Sequence, residues 1–164
     1  MAGHLEEMIE IIGETPPAAF PLLEEDGGAW KQKSIPENIT IPCYKPDIEQ
    51  IIKVVVIPEI IFTKIINTPE VGLNLENDRS TGKKLVVEGE LYQQVVYVAD
   101  VTQQSVHEVE FIVPFSTYIV LNSEVEVTDK LIVKPFIEDI FVQQLGTKNI
   151  FKNITLFLLA QEQS

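Results

Sequence analysis

From Ile48 onward, apolar and polar side chains alternate with a period of two, and this alternation limits the possible folds more than any other feature of the sequence. Successive side chains of a strand point to opposite faces, so this period predicts strands with one buried face. The pattern is clearest over residues 84–99, where one face carries Leu85, Val87, Leu91, Val95 and Tyr97. Similar segments lie at 48–66, 105–115, 117–127, 131–143 and 150–160.

The spacing of these segments predicts an all-β fold. We expect a β-sandwich or partly closed barrel of about six to eight mainly antiparallel strands, with the strand order left open. Residues 67–83 carry Pro, Gly, Asn and Asp and indicate a loop. Residues 150–160 are apolar on both faces, which is typical of a strand that is central or covered. Gly89 falls on the core face, where it indicates a bulge or a close backbone approach.

Residues 1–46 differ from the rest and are predicted to form a helix and an arm that precede a β-domain at 47–164. The helix is expected at residues 4–12, where one stripe carries Leu5, Met8, Ile9 and Ile12. About nine residues do not form a stable helix alone, so this helix must dock. Its docking site is either its own domain or a neighbouring subunit.

Prolines dominate the rest of this N-terminal region. They occupy positions 16, 17, 21, 36, 42 and 46, and they exclude a central strand because each removes a backbone donor. The spaced apolar residues are Phe20, Leu22, Leu23 and Trp30. The region is either an extended arm that inserts these side chains into pockets or a poorly ordered linker. The candidate interaction residues are these four apolar residues together with the four of the predicted helix stripe.

The charge excludes several classes of partner. The net charge is −13, with 25 acidic against 12 basic residues, so nucleic acid and anionic membranes are not expected partners. The charge favours either solubility or a basic or cationic partner. No apolar run approaches the ~20 residues of a membrane span, and the N-terminus does not resemble a signal peptide, so we expect a cytoplasmic origin. The single cysteine, Cys43, excludes an internal disulfide and indicates a reducing compartment.

Residues that could carry chemistry are few, so we predict no catalytic residues, no metal and no cofactor. His4 and His107 lie apart, without metal-ligand spacing. Ser105 is close to His107, but no nucleophile motif surrounds it. The acidic pairs are interpreted as a solvated face or, alternatively, as a Ca²⁺ site: Glu88/Glu90, Glu108/Glu110 and Glu124/Glu126.

Four blocks carry a resemblance to a known family. They are KPDIEQI at 45–51, GKKLVVEGEL at 82–91, YVAD at 97–100 and VPFSTYI at 113–119. In this order they resemble the SPOCS domain of spore-coat assembly proteins of spore-forming Firmicutes. The resemblance implies a non-catalytic β-domain used in assembling the spore envelope. In the best-known family architecture a LysM module follows such domains, whereas we expect this chain to be a single-domain member without one.

The predicted function is that of a structural or assembly subunit of the spore coat, exosporium or an appendage. It would be made in the mother-cell cytoplasm, placed at the spore surface, and self-associate through its N-terminal arm into a homo-oligomer or join other coat proteins. On this hypothesis a chain lacking residues 1–46 remains a folded monomer. The alternatives are a monomeric adaptor for another coat protein, or a carbohydrate- or Ca²⁺-binding module in which Tyr92 stacks on sugars.

Overall fold

The computed structural model describes residues 9–21, 28–73 and 79–163, with side chains for all of these except 70–73 and 79. Seven strands account for most of this part of the chain. They are β1 (Glu10–Ile12), β2 (Ala29–Thr40), β3 (Ile48–Leu73), β4 (Arg79–Ala99), β5 (Val106–Val120), β6 (Leu131–Gln144) and β7 (Asn149–Glu162). A 3-10 turn at Pro17–Ala19 lies between β1 and β2.

The first sheet has four strands in the order β1-β3-β4-β5. β3, β4 and β5 form an antiparallel meander, and β1 pairs in parallel with one end of β3. β4 and β5 pair without a register shift, whereas β3 contains bulges, one of them between Ile60 and Phe62. The predicted core face of β4 is confirmed, because all five apolar residues of that face are buried.

The second sheet has three antiparallel strands in the order β2-β7-β6. β7 therefore lies in the centre, as its two apolar faces predicted. Pro36 and Pro135 lie on the two edge strands, β2 and β6. An edge strand tolerates proline because its outward backbone groups have no ladder partner to lose.

The two sheets face each other over one hydrophobic core, with β3 beside β6 and β2 beside β5. Both sheets supply fully buried side chains, among them Val54, Leu91, Ile119, Ile150 and Leu156. The predicted all-β class is confirmed, and of the two architectures the structure is the open two-sheet form, not a closed barrel. One end is tied by the Tyr97 hydroxyl, which donates to the Pro46 carbonyl at 2.8 Å.

The predicted helix at residues 4–12 is wrong where the structure describes it. Glu10–Ile12 form β1, with Ile12 opposite Val55 of β3. The edge of β3 offers unpaired backbone groups, and two adjacent β-branched residues favour joining that edge over a helix of about nine residues. Residues 1–8, with Leu5 and Met8, lie outside the described residues.

Two predicted boundaries in the β-domain are also wrong. Residues 117–120 end β5, but 121–130 form turns in which Asn122 Oδ1 accepts from the Glu124 N–H at 3.0 Å. Such side-chain to backbone bonds favour a turn over a strand. The predicted loop at 67–83 is shorter, because β3 extends to Leu73 and β4 begins at Arg79.

Residues 29–40 form a full edge strand within the predicted arm. β2 pairs with β7 along its whole length and buries Ile35 and Ile39, and Ile41 follows them into the core. A chain lacking residues 1–46 would expose the matching edge of β7 and lose these core side chains. The structure therefore does not support the expectation that such a chain stays folded, and the boundary at 46/47 remains a prediction.

Candidate interaction surfaces

The N-terminal segment, defined here as residues 9–21, joins the edges of both sheets. It first lies along β3, with Glu10 opposite Lys53 and Ile12 opposite Val55. It then turns at Gly13, which has φ of +130°. A Cβ at this position would lie 2.2 Å from the Val56 carbonyl oxygen, so only glycine fits this crossing.

After Gly13 the N-terminal segment covers the free edge of β6. The Thr15 N–H donates to the Ile137 carbonyl at 2.8 Å, and the Ile137 N–H donates to Thr15 Oγ1 at 2.9 Å. The Ile140 N–H donates to Glu14 Oε1 at 3.2 Å. Unpaired edge groups are a template for pairing with another chain, and these bonds occupy them around a bulge of β6.

The end of the N-terminal segment packs in an aromatic cluster on the outer face of the second sheet. Phe20 stacks on Phe136 with ring centroids 5.6 Å apart, and it meets Phe157 of β7 edge-on at 6.4 Å. Trp30 of β2 stacks on Phe157 at 5.5 Å. These rings give the second apolar face of β7 its cover.

The structure brings some of the sequence-predicted interaction residues together. Phe20 and Trp30 meet on Phe157. Ile12 pairs with the edge of β3, and Ile9 packs partly buried against the hydrophobic core. Trp30 stays 49% exposed and Ile12 40% exposed, so each side chain retains surface that another protein can contact. Leu22 and Leu23, like Leu5 and Met8, lie outside the described residues. An interaction role for this set remains a prediction.

The outer face of the first sheet carries exposed apolar side chains at its centre. Ile57, Tyr92 and Ile112 lie directly opposite one another on β3, β4 and β5. Ile57 is 53% exposed and Ile112 63% exposed, and the bulge of β3 adds Ile61 and Phe62. The sequence pattern predicted a polar outer face. It did not predict this apolar group, because strand register determines which residues of different strands meet.

A buried polar cluster joins the two sheets and was not predicted. The Lys152 ammonium of β7 donates to Gln93 Oε1 of β4, and Gln93 Nε2 donates to Glu37 Oε1 of β2 at 2.7 Å. Burial lowers the pKa of Lys152 to about 8, and the opposing charge of Glu37 limits the fall. Gln93 interrupts the core-facing series of β4, which was the available signal in the sequence.

Ser105 and His107 form the closest approach to catalytic geometry in the described part of the chain. Ser105 Oγ lies 2.9 Å from His107 Nε2, and the imidazole stacks on Tyr97. A hydrolytic triad needs a third group that orients the imidazole. Across residues 9–21, 28–73 and 79–163, His107 has no acidic hydrogen-bond partner, so the pair forms a hydrogen bond at the rim of the sheet.

The acidic pairs do not converge on a metal. Glu108 and Glu110 accept from Gln94 Nε2 at 2.8 Å and the Tyr92 hydroxyl at 2.9 Å, and the latter bond is the main cause that raises the pKa of Tyr92. Glu124 and Glu126 lie in the turns after β5. The described residues contain no group of three His, Cys, Asp or Glu positioned to hold a metal ion.

The geometry is that of an all-β domain whose distinctive features are sheet edges, outer faces and the segment that crosses them. A family model described as "SipL, SPOCS domain" matches residues 47–145, more than half of the chain, and the chain belongs to this family. The match spans β3 to β6. No curated protein and no solved structure shows a significant match.

Membership in the SPOCS family associates the chain with sporulation. The family is not a known enzyme family. In the described part of the chain, no helix has the length and apolar character needed to cross a membrane.

Proposed function

We propose that this chain is a non-catalytic structural subunit of the bacterial spore envelope that self-associates through its N-terminal region. The envelope layer would be the coat, the exosporium or an appendage, reached after synthesis in the mother-cell cytoplasm. The observation that carries this proposal is the docking of the N-terminal segment on two sheet edges, β3 and β6, mainly through backbone groups.

Edge contacts of this kind are equally available on every copy of the chain. A segment that leaves its own sheets can pair with the same edges of a neighbour and form the same bonds with Lys53–Val55 and Ile137. Passing such a segment from chain to chain builds rings or filaments, depending on whether the rotation closes. The exchange needs no new interface, so a strongly acidic chain can assemble without packing two acidic faces together.

Light scattering and negative-stain microscopy of the purified full chain test this proposal. We expect particles larger than a monomer. The double variant Thr15→Ala/Phe20→Ala, which weakens docking on β6 and on the aromatic cluster, is expected to shift them towards monomers. The matched control Thr40→Ala/Phe141→Ala removes the same atoms from exposed positions of the second sheet and should assemble like the unmodified chain.

The second candidate is a monomeric adaptor that binds another coat protein through a sheet face. The docking of residues 9–21 on their own domain and the bare outer face of the first sheet favour it. A full chain that stays monomeric at high concentration would contradict self-association and support the adaptor. If Thr15→Ala/Phe20→Ala leaves assembly unaffected, the chain still self-associates, but not through its N-terminal segment.

A further inference from the structure

The outer face of the first sheet combines apolar side chains with carboxylates in neighbouring rows. Ile57, Tyr92 and Ile112 form one row, and the next row places Glu59 directly opposite Glu90, with Pro114 beyond. Past the bulge of β3 follow Phe62 and Glu88, also opposite each other. Rows on one face lie about 7 Å apart, so one bound segment could contact all three.

A pocket of about 440 Å³ lies in this face where the rows meet. Its apolar sides are Ile61 of β3 and Pro114 of β5, and its acidic sides are Glu88 and Glu90 of β4. The floor is formed by Gly89 and Phe115. A Cβ on Gly89 would lie 2.5 Å from the Phe115 ring, so the missing side chain lets this ring fill the space beneath the sheet.

The carboxylates around the pocket differ from the other acidic pair on the same face. Glu108 and Glu110 accept hydrogen bonds from Gln94 and Tyr92. No hydrogen bond or ion pair joins the side-chain carboxylates of Glu59, Glu88 or Glu90 to any residue that the structure describes. Glu59 and Glu90 also face each other across the strands, and like charges in this position repel.

We infer that this face binds a cationic, partly apolar segment of another protein, with a Lys or Arg side chain in the pocket. The aliphatic part of that side chain would lie between Ile61 and Pro114, and its charge would meet Glu88 and Glu90. Apolar side chains of the same segment would cover Ile57 and Ile112. This surface is separate from the N-terminal segment, so the inference goes beyond the proposed self-association.

Charge decides between this partner and a second copy of the chain. Each copy carries a net charge of −13, and this face presents Glu59, Glu88 and Glu90 in the rows beside its apolar centre. Two such faces in contact would bury like charges, whereas a basic segment neutralises them. The second sheet is different, because Phe20 covers part of its outer face.

Binding of a labelled short peptide of alternating Lys and Val to the full chain, measured by fluorescence anisotropy, tests the inference. We expect binding that Glu88→Gln/Glu90→Gln weakens about tenfold, the size of a lost charge-assisted contact. The control Glu108→Gln/Glu110→Gln removes the same two charges from the same face and should change the affinity less than about twofold. Matched Glu-Val and Lys-Ser peptides should bind much more weakly.

Two outcomes would overturn the inference. If both double variants weaken binding equally, the peptide responds to net charge alone. If the Lys-Val peptide does not bind at all, this face is not a binding site for such segments. Amide chemical shifts of the unmodified chain give an independent measurement. We expect the peptide to shift Gly89 and Ser116, and shifts confined to other elements would place the binding site elsewhere.

Discussion

Lys152 and Gln93 lie on interior strands of opposite sheets and hydrogen-bond across the core. Each is fully buried, and each would lack a partner if the sheets slid past one another. Glu37, at the partly exposed end of the cluster, accepts from Gln93. The cluster therefore favours the one arrangement of the two sheets that brings these three side chains together.

Burial of Lys152 predicts a specific pH dependence of stability. Its pKa falls to about 8 in the folded chain from 10.5, so between these values the unfolded state binds more protons. Stability from this group therefore rises with pH across that window, by at most about 3 kcal/mol. Urea unfolding of the unmodified chain and of Lys152→Met from pH 7 to 10.5 measures the difference. Parallel curves for the two proteins would contradict the assignment.

The close packing around Gly89 means that any larger side chain at this position should destabilise the first sheet. Gly89→Ala would place Cβ 2.5 Å from the Phe115 ring and 2.6 Å from the Glu59 carbonyl oxygen, and backbone cannot move aside easily. We expect a loss of about 1–3 kcal/mol in the free energy of unfolding, measured by urea denaturation. Gly146→Ala is the control, since its nearest neighbour is 4.0 Å away. Equal stabilities of the two variants would refute the close approach.

Sequence patterns predicted which side chains of β4 face the core, because alternation is a local property. The same pattern predicted either a bulge or a close backbone approach at Gly89, and the structure shows a close approach there, opposite a bulge of β3. The partners of Gln93 and Lys152 could not be predicted, since they depend on which strands face each other across the sheets. Ile57 and Ile112 were missed as neighbours on one face, because their meeting depends on strand register.

At the scale of elements, the sheet edges explain where the sequence predictions succeeded and failed. β7 was predicted as central or covered from its two apolar faces, which is a local signal. β1 was predicted as a helix because its pattern also fits a helical stripe, and only the edge of β3 makes the strand favourable. β2 was not predicted because Pro36 argued against a strand, although an edge strand tolerates proline.

The hydrogen bonds of Thr15 are expected to contribute to the stability of the N-terminal segment on the edge of β6. Thr15→Ala removes the acceptor of the Ile137 N–H, and Ile137 is buried. We expect a loss of about 1–2 kcal/mol in the free energy of unfolding, measured by urea denaturation. Thr40→Ala removes a bond between exposed side chains and should cost less than about 0.5 kcal/mol. A loss for Thr15→Ala no larger than this would show that the bond does not hold the segment.

At the scale of the molecule, the chain forms an acidic two-sheet domain whose N-terminal segment covers two sheet edges, those of β3 and β6. Membership in the SPOCS family relates it to sporulation, and among the described residues the fold leaves the β2 and β5 edges without a neighbouring strand and the outer face of the first sheet uncovered. The family and the all-β class were predictable from the sequence, because blocks and alternation are local. The crossing of the N-terminal segment between sheets was not, because both of its docking sites are distant in the chain.

Cross-linking between two chains tests most directly whether the N-terminal segment is exchanged. Both chains would carry Cys43→Ser, one with Ile12→Cys and the other with Val55→Cys, positions directly opposite each other on β1 and β3. If the segment is exchanged, the two chains mixed during refolding and then oxidised should give a disulfide-linked heterodimer. A control mixture of Val55→Cys with Thr40→Cys should give none. Assembly of the chains without the Ile12–Val55 product would contradict exchange of this segment.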